Sequence, residues 1–393
     1  MRAGSIVISP AVLALLLSPA LAQADAPHFV PEWPVTLQSE VIRVTRGFDG
    51  EAMFFVKDLQ SGVRYAHNAA TPTYIASGVK LVFMVGLFRL IADGEASLDE
   101  ELTYESSDVR DGAPVFNYLK VGTKIPLRVV LEAMVHQSDN AASDMIARRV
   151  GMDTINRTLI EEGITGFGPL TSLLDVRRLV YRLLDPRVDR LSPQDMRAIG
   201  FARTTEDRVI RLTDALGELP GTYTIPDVDR AFREYYRTGY NSATMEAVGT
   251  VLERIATGQL ISPEASQAMI EVLLGTITGA DRIKGKLPPG VQVAHKTGTQ
   301  YQRICDFGII YPEPDRPVVF VACTKGGGKR RAEEVISTVA RKAYDTLLAE
   351  RAVTPMEIRT STTGKNEARS QSSAKNRKKD KKKPRERAER TER

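Results

Sequence analysis

A chain of 393 residues with 42% apolar residues has room for two or three ordinary domains and buries a large core easily. Its net charge of +5 misleads, because residues 359–393 alone carry 14 Lys/Arg against 5 Asp/Glu. The body is therefore acidic, and a basic nucleic-acid-binding body is excluded. The start, MRAGSIVISPAVLALLLSPALAQA, has a basic residue, a short apolar run and Ala20-Leu21-Ala22. It reads as a signal peptide over 1–22, cut after Ala22, which places the mature protein in the periplasm or outside the cell. No cysteine follows the cut, so no lipid anchor is expected there. Residues 23–40 read as a proline-rich lead-in to a domain over 41–350. Strand-like GEAMFFVKDL and VRYAHNA form a hairpin around Gln60-Ser61-Gly62. The run IASGVKLVFMVGLFRLIADGE then predicts a helix apolar on every side, hence buried, stopped at Asp93-Gly94. Lys80 heads that helix, and a buried lysine needs a reason.

From about 106 to 287 the pattern is helical. Helix starts are expected at Ser172 with Asp175, after Asn241-Ser242, and at Ser262-Pro263. Strands return in VQVAHKTGT, ICDFGIIY and PVVFVACT, and the helix AEEVISTVARKAYDTLLAE closes the domain. Sheet segments from about 41–105 and 288–350 thus flank a helical lobe, which makes a layered α+β domain with an all-helical insertion. A hairpin centred near Pro314 sets Cys305 opposite Cys323, either as a disulfide or as two buried thiols. Residues 351–393 are too poor in apolar side chains to fold alone and read as a disordered basic tail, placed against anionic envelope components or simply solvated.

Three short motifs occur in order: Ser77-Gly78-Val79-Lys80, Ser138-Asp139-Asn140 and Lys296-Thr297-Gly298-Thr299. A serine hydroxyl is a poor nucleophile until a base takes its proton. Lys80 lies one helical turn from Ser77 on the same face, and burial lowers a lysine pKa toward neutrality. The N–H groups of a helix start are free to bond a developing anion. The three motifs together resemble the active site of the penicillin-recognising serine hydrolases, which include class A β-lactamases and penicillin-binding proteins. The resemblance implies an antiparallel α/β/α sandwich, with Ser77 as nucleophile, Lys80 as base, and Ser138 relaying protons between Lys80, Lys296 and the leaving nitrogen. It further implies an oxyanion hole of the Ser77 and Thr299 N–H groups, with Asn140 holding the substrate amide. Lys296, Thr297 and Thr299 would bind the substrate carboxylate, Gly298 would let the backbone approach the ligand, and Asp139 would be structural.

Two features depart from that pattern. Ser138 and Lys296 are farther apart than is usual for class A, with extra helical material between about 170 and 240. No E-x-x-L-N loop supplies a water-activating glutamate, for which Glu234, Asp227 and Asp229 are the available stand-ins. The substrate is expected to be a β-lactam, with a D-alanyl-D-alanine peptide or another acyl compound as the alternative, and a non-catalytic cell-wall-binding relative as the third reading. No metal or cofactor is implied, since the four histidines lack H-x-H or H-E-x-x-H spacing. Gly326-Gly327-Gly328-Lys329 lacks the Ser/Thr of a phosphate loop and reads as a turn. The chain is expected to act as a monomer.

Overall fold

The computed structural model of the protein describes residues 31–353; the expected signal peptide and nearly all of the basic tail lie outside them. The chain opens with α1 (Trp33–Thr45), then β1 (Gly50–Asp58), β2 (Arg64–His67) and β3 (Thr73–Tyr74). A 3-10 turn at Ala76–Gly78 leads into α2 (Val79–Ala92). Next come β4 (Glu101–Thr103), β5 (Lys124–Pro126), α3 (Leu127–His136), α4 (Asn140–Val150), α5 (Met152–Glu161) and α6 (Leu173–Arg182). They are followed by α7 (Pro193–Gly200), α8 (Thr205–Ala215), α9 (Ile225–Arg237), β6 (Ser242–Ala243), α10 (Met245–Ala256) and α11 (Pro263–Leu274). The last elements are β7 (Gln292–Gln300), β8 (Arg303–Tyr311), β9 (Val318–Gly326) and α12 (Lys329–Val353).

One antiparallel sheet in the order β2-β1-β9-β8-β7 joins both ends of the described chain. Its central strands are buried on both faces, which explains why their sequences read as continuous apolar runs. Alternation of side chains then assigns each face. Phe54, Val56, Phe320 and Ala322 point toward α1 and α12, in a core with Trp33 and Ile336. Phe55, Val321, Cys323 and Phe307 point the other way, into the core built around α2, α3, α4 and α10. Cys305 and Cys323 are register partners across β8 and β9 and form a disulfide. Among the described residues no helix is long and apolar enough to cross a membrane.

Several boundaries differ from the sequence reading. Residues 33–40 of the expected lead-in belong to α1, which is started by Pro34 in its first turn and fixed by burial of Trp33, Leu37 and Val41. Proline is favourable at a helix start, so the proline-rich composition marked a helix entry rather than an extended linker. Of the segment 41–105, only β1 and β2 join the main sheet; from Val79 the chain belongs to the helical side. Helix α10 is capped by Thr244, whose hydroxyl accepts the Ala247 N–H at 3.1 Å, because Ser242 and Ala243 pair with β3 instead. Helix α12 runs past the expected tail start at 351 to Val353. Its end is held by Glu350, which accepts the Glu32 and Trp33 N–H groups at 2.7 Å, and by Arg351, which pairs with Asp58 at 2.6 Å.

The extra material of the middle segment has an apolar core of its own. Helices α6 to α9 share a core of Val180, Tyr181, Ile199, Leu212, Phe232 and Tyr235. That core includes Tyr74 and Ala76, the residues just before Ser77, so the insertion docks beside the 3-10 turn.

Because Trp33 is 2% exposed, Trp33→Ala is expected to cost about 3–5 kcal/mol in urea-induced unfolding. A change below about 0.5 kcal/mol, the usual size for a surface substitution, would mean that α1 is a passive leader.

Candidate active site

Ser77 sits in the 3-10 turn whose backbone is forced into shape from two sides. Ala76 takes a positive φ of 51°. Gly78 lies against the Phe307 ring, where an added Cβ would fall 2.3 Å from Cε2. Sheet and turn are pressed together again at β7, where a Cβ on Gly298 would fall 2.3 Å from the Ile75 carbonyl oxygen. Gly298 is thus required for the approach of β7 to the protein's own backbone, rather than for approach to a ligand. Serine and the K-T-G strand meet because neither Gly78 nor Gly298 has a side chain.

Lys80, in the first turn of α2, is fully buried. Its Nζ donates to the Ser138 carbonyl at 2.5 Å, to Asn140 Oδ1 at 2.7 Å and to Ser138 Oγ at 3.1 Å. Lys296 of β7 is equally buried and donates to the same Ser138 Oγ at 3.0 Å and to the Thr297 carbonyl at 3.0 Å. Burial pulls Lys80 down to about 7, while the carboxylates of Asp139, Asp144 and Asp111 hold it from falling further. Lys296 is lowered well below the usual lysine value by burial and then by the charge of Lys80. Among the described residues the Ser77 hydroxyl makes no side-chain hydrogen bond.

Ser138 lies between α3 and α4 with a positive φ of 60°. Asp139 makes that turn rigid. It caps α4 by accepting the Ala142 N–H at 2.9 Å, and its other oxygen accepts the Val115 and Phe116 N–H groups at 3.0 Å each. Asn140 is fixed at both ends, since its Nδ2 donates to the Asp111 carbonyl at 2.7 Å. Thr297 Oγ1 bonds Thr278 Oγ1 at 2.6 Å, and Thr299 Oγ1 accepts from Arg282 at 2.6 Å. The cleft has a volume of about 460 Å³, with Ser77, Ser138, Asn140, Thr297 and Thr299 on its wall. All the residues expected at the site are therefore gathered in or directly behind one hollow.

Two residues of this site escaped the sequence reading. Arg282, 4% exposed, spans Thr299, the Gly298 and Cys305 carbonyls and Glu333, putting a guanidinium beside the K-T-G strand. It belongs to no spaced motif, and only the fold brings it to β7. Arg177 of α6 reaches the cleft wall and grips the Asp111 carboxylate through Nε at 2.9 Å and NH2 at 2.5 Å. Its sequence signal, one arginine on an amphipathic helix, is that of any surface helix.

The stand-in carboxylates do not reach the cleft. Glu234 pairs with Arg237 on the surface of α9, Asp227 closes the capping box of the same helix, and Asp229 faces the Tyr301 phenol. Among the described residues, the acidic side chains on the cleft wall are Asp281 and Glu333, at the Arg282 end. His295, beside Lys296, is a buried structural residue whose Nδ1 pairs with Asp306 at 2.8 Å. The glycine run is a turn between β9 and α12, with Gly326 and Gly327 at positive φ. Among the described residues no cluster of three or more His, Cys, Asp or Glu is arranged to hold a metal ion.

Residues 36–347 match the model of the β-lactamase enzyme family along their whole length. The chain belongs to that family. It is a β-lactamase-like serine hydrolase, though its relatives are distant. The carbapenem-hydrolyzing β-lactamase KPC of Klebsiella oxytoca is 22% identical over 310 residues, covering 78% of this chain and 87% of the relative. Among solved structures, a Leu-to-Glu variant of PBP-A in an acyl-enzyme complex with penicillin G superposes with a TM-score of 0.61. It is 19% identical, and the match covers 82% of this chain and all of that one. A β-lactamase from Chitinophaga pinensis gives 0.60 at 18% identity, over 79% and 99% of the two chains. These likenesses place the α+β sandwich with its helical part in the β-lactamase fold.

The close approach at Gly298 gives a direct test of how the family's site is held. Gly298→Ala is expected to lose about 1–3 kcal/mol of stability, as overpacked sites do. Urea unfolding reads the loss, and an unchanged midpoint would show that β7 and the Ser77 turn are not in tight contact.

Proposed function

We infer that the protein is an exported serine acyl hydrolase that opens β-lactam amides through an acyl-enzyme on Ser77. The observation that carries this reading is one hydroxyl, Ser138 Oγ, shared by two buried lysines beside the Ser77 turn. A neutral Lys80 takes the Ser77 proton as the hydroxyl attacks the carbonyl carbon, and the tetrahedral oxyanion forms against the N–H groups of Ser77 and Thr299. As the C–N bond breaks, Ser138 passes a proton to the leaving nitrogen and is resupplied from Lys80 or Lys296. Asn140 orients the acyl-side amide, while Thr297, Thr299 and Lys296, with Arg282 behind them, hold the substrate carboxylate. Export follows from the leader at 1–22. The basic tail keeps the protein near anionic envelope components.

A second reading, a peptidase of D-alanyl-D-alanine stems that β-lactams inhibit, is favoured by one feature. Asp111, the neighbour of Gly112 on the cleft wall, has its carboxylate clamped by Arg177. The carboxylates of the described cleft wall, Asp281 and Glu333, lie at the Arg282 end. Acylation therefore has its groups, whereas hydrolysis of the ester lacks a free carboxylate to activate water.

Mixing with benzylpenicillin is expected to add the full mass of the drug to the intact protein, with the adduct on Ser77 and absent in Ser77→Ala. The adduct is expected to outlast many catalytic turnovers of an ordinary β-lactamase. Fast hydrolysis without a trapped adduct would remove the slow-deacylation reading, and no reaction at all would reject β-lactams as substrates. The acylation rate has a defined pH dependence. Lys80 acts only when neutral, so the rate rises through about pH 7 and levels above it. At two pH units below that value about 1% of Lys80 is neutral, so acylation is expected to be roughly 100-fold slower. A flat profile between pH 5 and 8 would contradict Lys80 as the base.

A further inference from the structure

Three arginines of the described chain are at least nine-tenths buried: Arg110, Arg282 and Arg303. The first two have carboxylates, Asp144 at 2.5 Å and Glu333 at 3.2 Å. Arg303, 7% exposed, has no carboxylate within ion-pair distance among the described residues. Its NH1 donates to the Gln302 carbonyl at 2.9 Å, its Nε is buried without a partner, and its Cζ lies over the Tyr236 ring, 4.4 Å from the ring centre. A desolvated guanidinium without a counter-ion is costly to keep, and an anion supplied from outside relieves that cost.

The surroundings of Arg303 form a hollow that receives such an anion. It has a volume of about 360 Å³ and is lined by Tyr74, Arg233, Tyr236, Tyr301, Arg303 and Lys325, among others. Glu51, the acidic side chain on its wall, is paired with Lys325 at 2.7 Å. Arg233 has no acidic partner within 4 Å among the described residues. The tyrosines are held rigidly, since Tyr301 stacks on Phe232 at 5.4 Å and its carbonyl accepts the Tyr236 hydroxyl at 2.9 Å. Helix α9 of the insertion therefore builds one wall of the hollow, and the β7–β8 turn the other.

The hollow adjoins the catalytic cleft. Thr299 lines one and Tyr301 the other, two residues apart along the same turn. Tyr74 precedes Ser77 by three residues, which bounds the backbone separation at about 10 Å. An acyl chain of about seven bonds from the scissile carbonyl spans a similar length.

We propose that this hollow is a subsite for a second carboxylate, carried on the acyl part of the substrate and received by the Arg303 guanidinium. The preferred substrates are then acyl donors with an acidic side arm, either peptide-like or β-lactam. This specificity rests on the acyl-enzyme reading of Ser77, although binding in the hollow does not require the chemistry.

The test compares two cephalosporins that differ only in the 7-acyl chain, glutaryl against pentanoyl, so that length is matched and only the distal carboxylate changes. The wild-type protein is expected to be acylated by the glutaryl compound at least about tenfold faster at equal concentration below saturation, the discrimination of one charge-assisted pair. In Arg303→Gln the ratio is expected to fall to within about twofold of one, and in the exposed Arg233→Gln to fall partway. The ratio is internal to each variant, so a general loss of activity does not imitate the result. If Arg303→Gln does not fold, Arg233→Gln alone carries the comparison, and an unchanged ratio there overturns the proposal. A wild-type ratio near one, or a preference that survives in Arg303→Gln, also overturns it. Dissociation constants of the two compounds for Ser77→Ala read the hollow independently of catalysis. If Ser77 is never acylated but the glutaryl compound still binds about tenfold more tightly in an Arg303-dependent manner, the acyl-enzyme reading fails and the subsite stands. Equal binding of both compounds removes the subsite whatever Ser77 does.

Discussion

Two buried ammonium groups converge on one hydroxyl, and much of the structure exists to make that arrangement tolerable. Two like charges on the order of 6 Å apart repel by about 3 kcal/mol at an effective dielectric of ~20. That is equivalent to about two pKa units, and it comes on top of the cost of burying each lysine. Asp139, Asp144 and Asp111 offset part of this around Lys80. The balance leaves Lys80 within reach of its neutral form near pH 7 while Lys296 stays coupled to it. The same pair would be ordinary surface lysines if either α2 or β7 moved outward.

The sheet and its neighbours hold those positions. Central strands with a packed core on each face leave β7 little freedom to shift. Glycines at 78 and 298 let the Ser77 turn and the strand touch. Asp139 is the corresponding clamp on the helical side, tying the Ser138 turn to the backbone at 115 and 116. On this frame the insertion α6 to α9 adds its own core and brings arginines and tyrosines to the cleft's edge. Arg177 disarms Asp111 on one side, and Tyr236 frames Arg303 on the other. Under the proposed function the insertion bears on both deacylation and substrate choice, while the central motifs bear on acylation.

How far the sequence announced this depends on the range over which each signal acts. Ser77 and Lys80 were legible because burial of a whole helix around one lysine is a local pattern. The strands β7, β8 and β9 were legible for the same reason, and so was the pairing of Cys305 with Cys323 across their turn. Helix α1 was misread, because its prolines mark both linkers and helix starts and only the packing of Trp33 against α12 decides between them. The role of Gly298 was assigned to the ligand, since the opposing Ile75 carbonyl is more than two hundred positions away in the chain. Arg177, Arg282 and Arg303 were missed because nothing local distinguishes a functional arginine from a solvated one. What distinguishes them is the presence or absence of a carboxylate partner, and that is set by tertiary contacts. The stand-in acids failed in the converse way, as local partners keep Asp227 and Glu234 on α9 and Asp229 faces the Tyr301 phenol.

The central claim is that burial brings Lys80 to a pKa near neutrality, and it is tested most directly by titrating the protein labelled with ¹³C at lysine Cε. Comparison of wild type with Lys80→Arg assigns the signal. The account predicts a lysine resonance that titrates near pH 7 and disappears in the variant. A Lys80 signal that titrates close to the ordinary value of 10.5 would contradict it, because the base would then be protonated wherever the enzyme works.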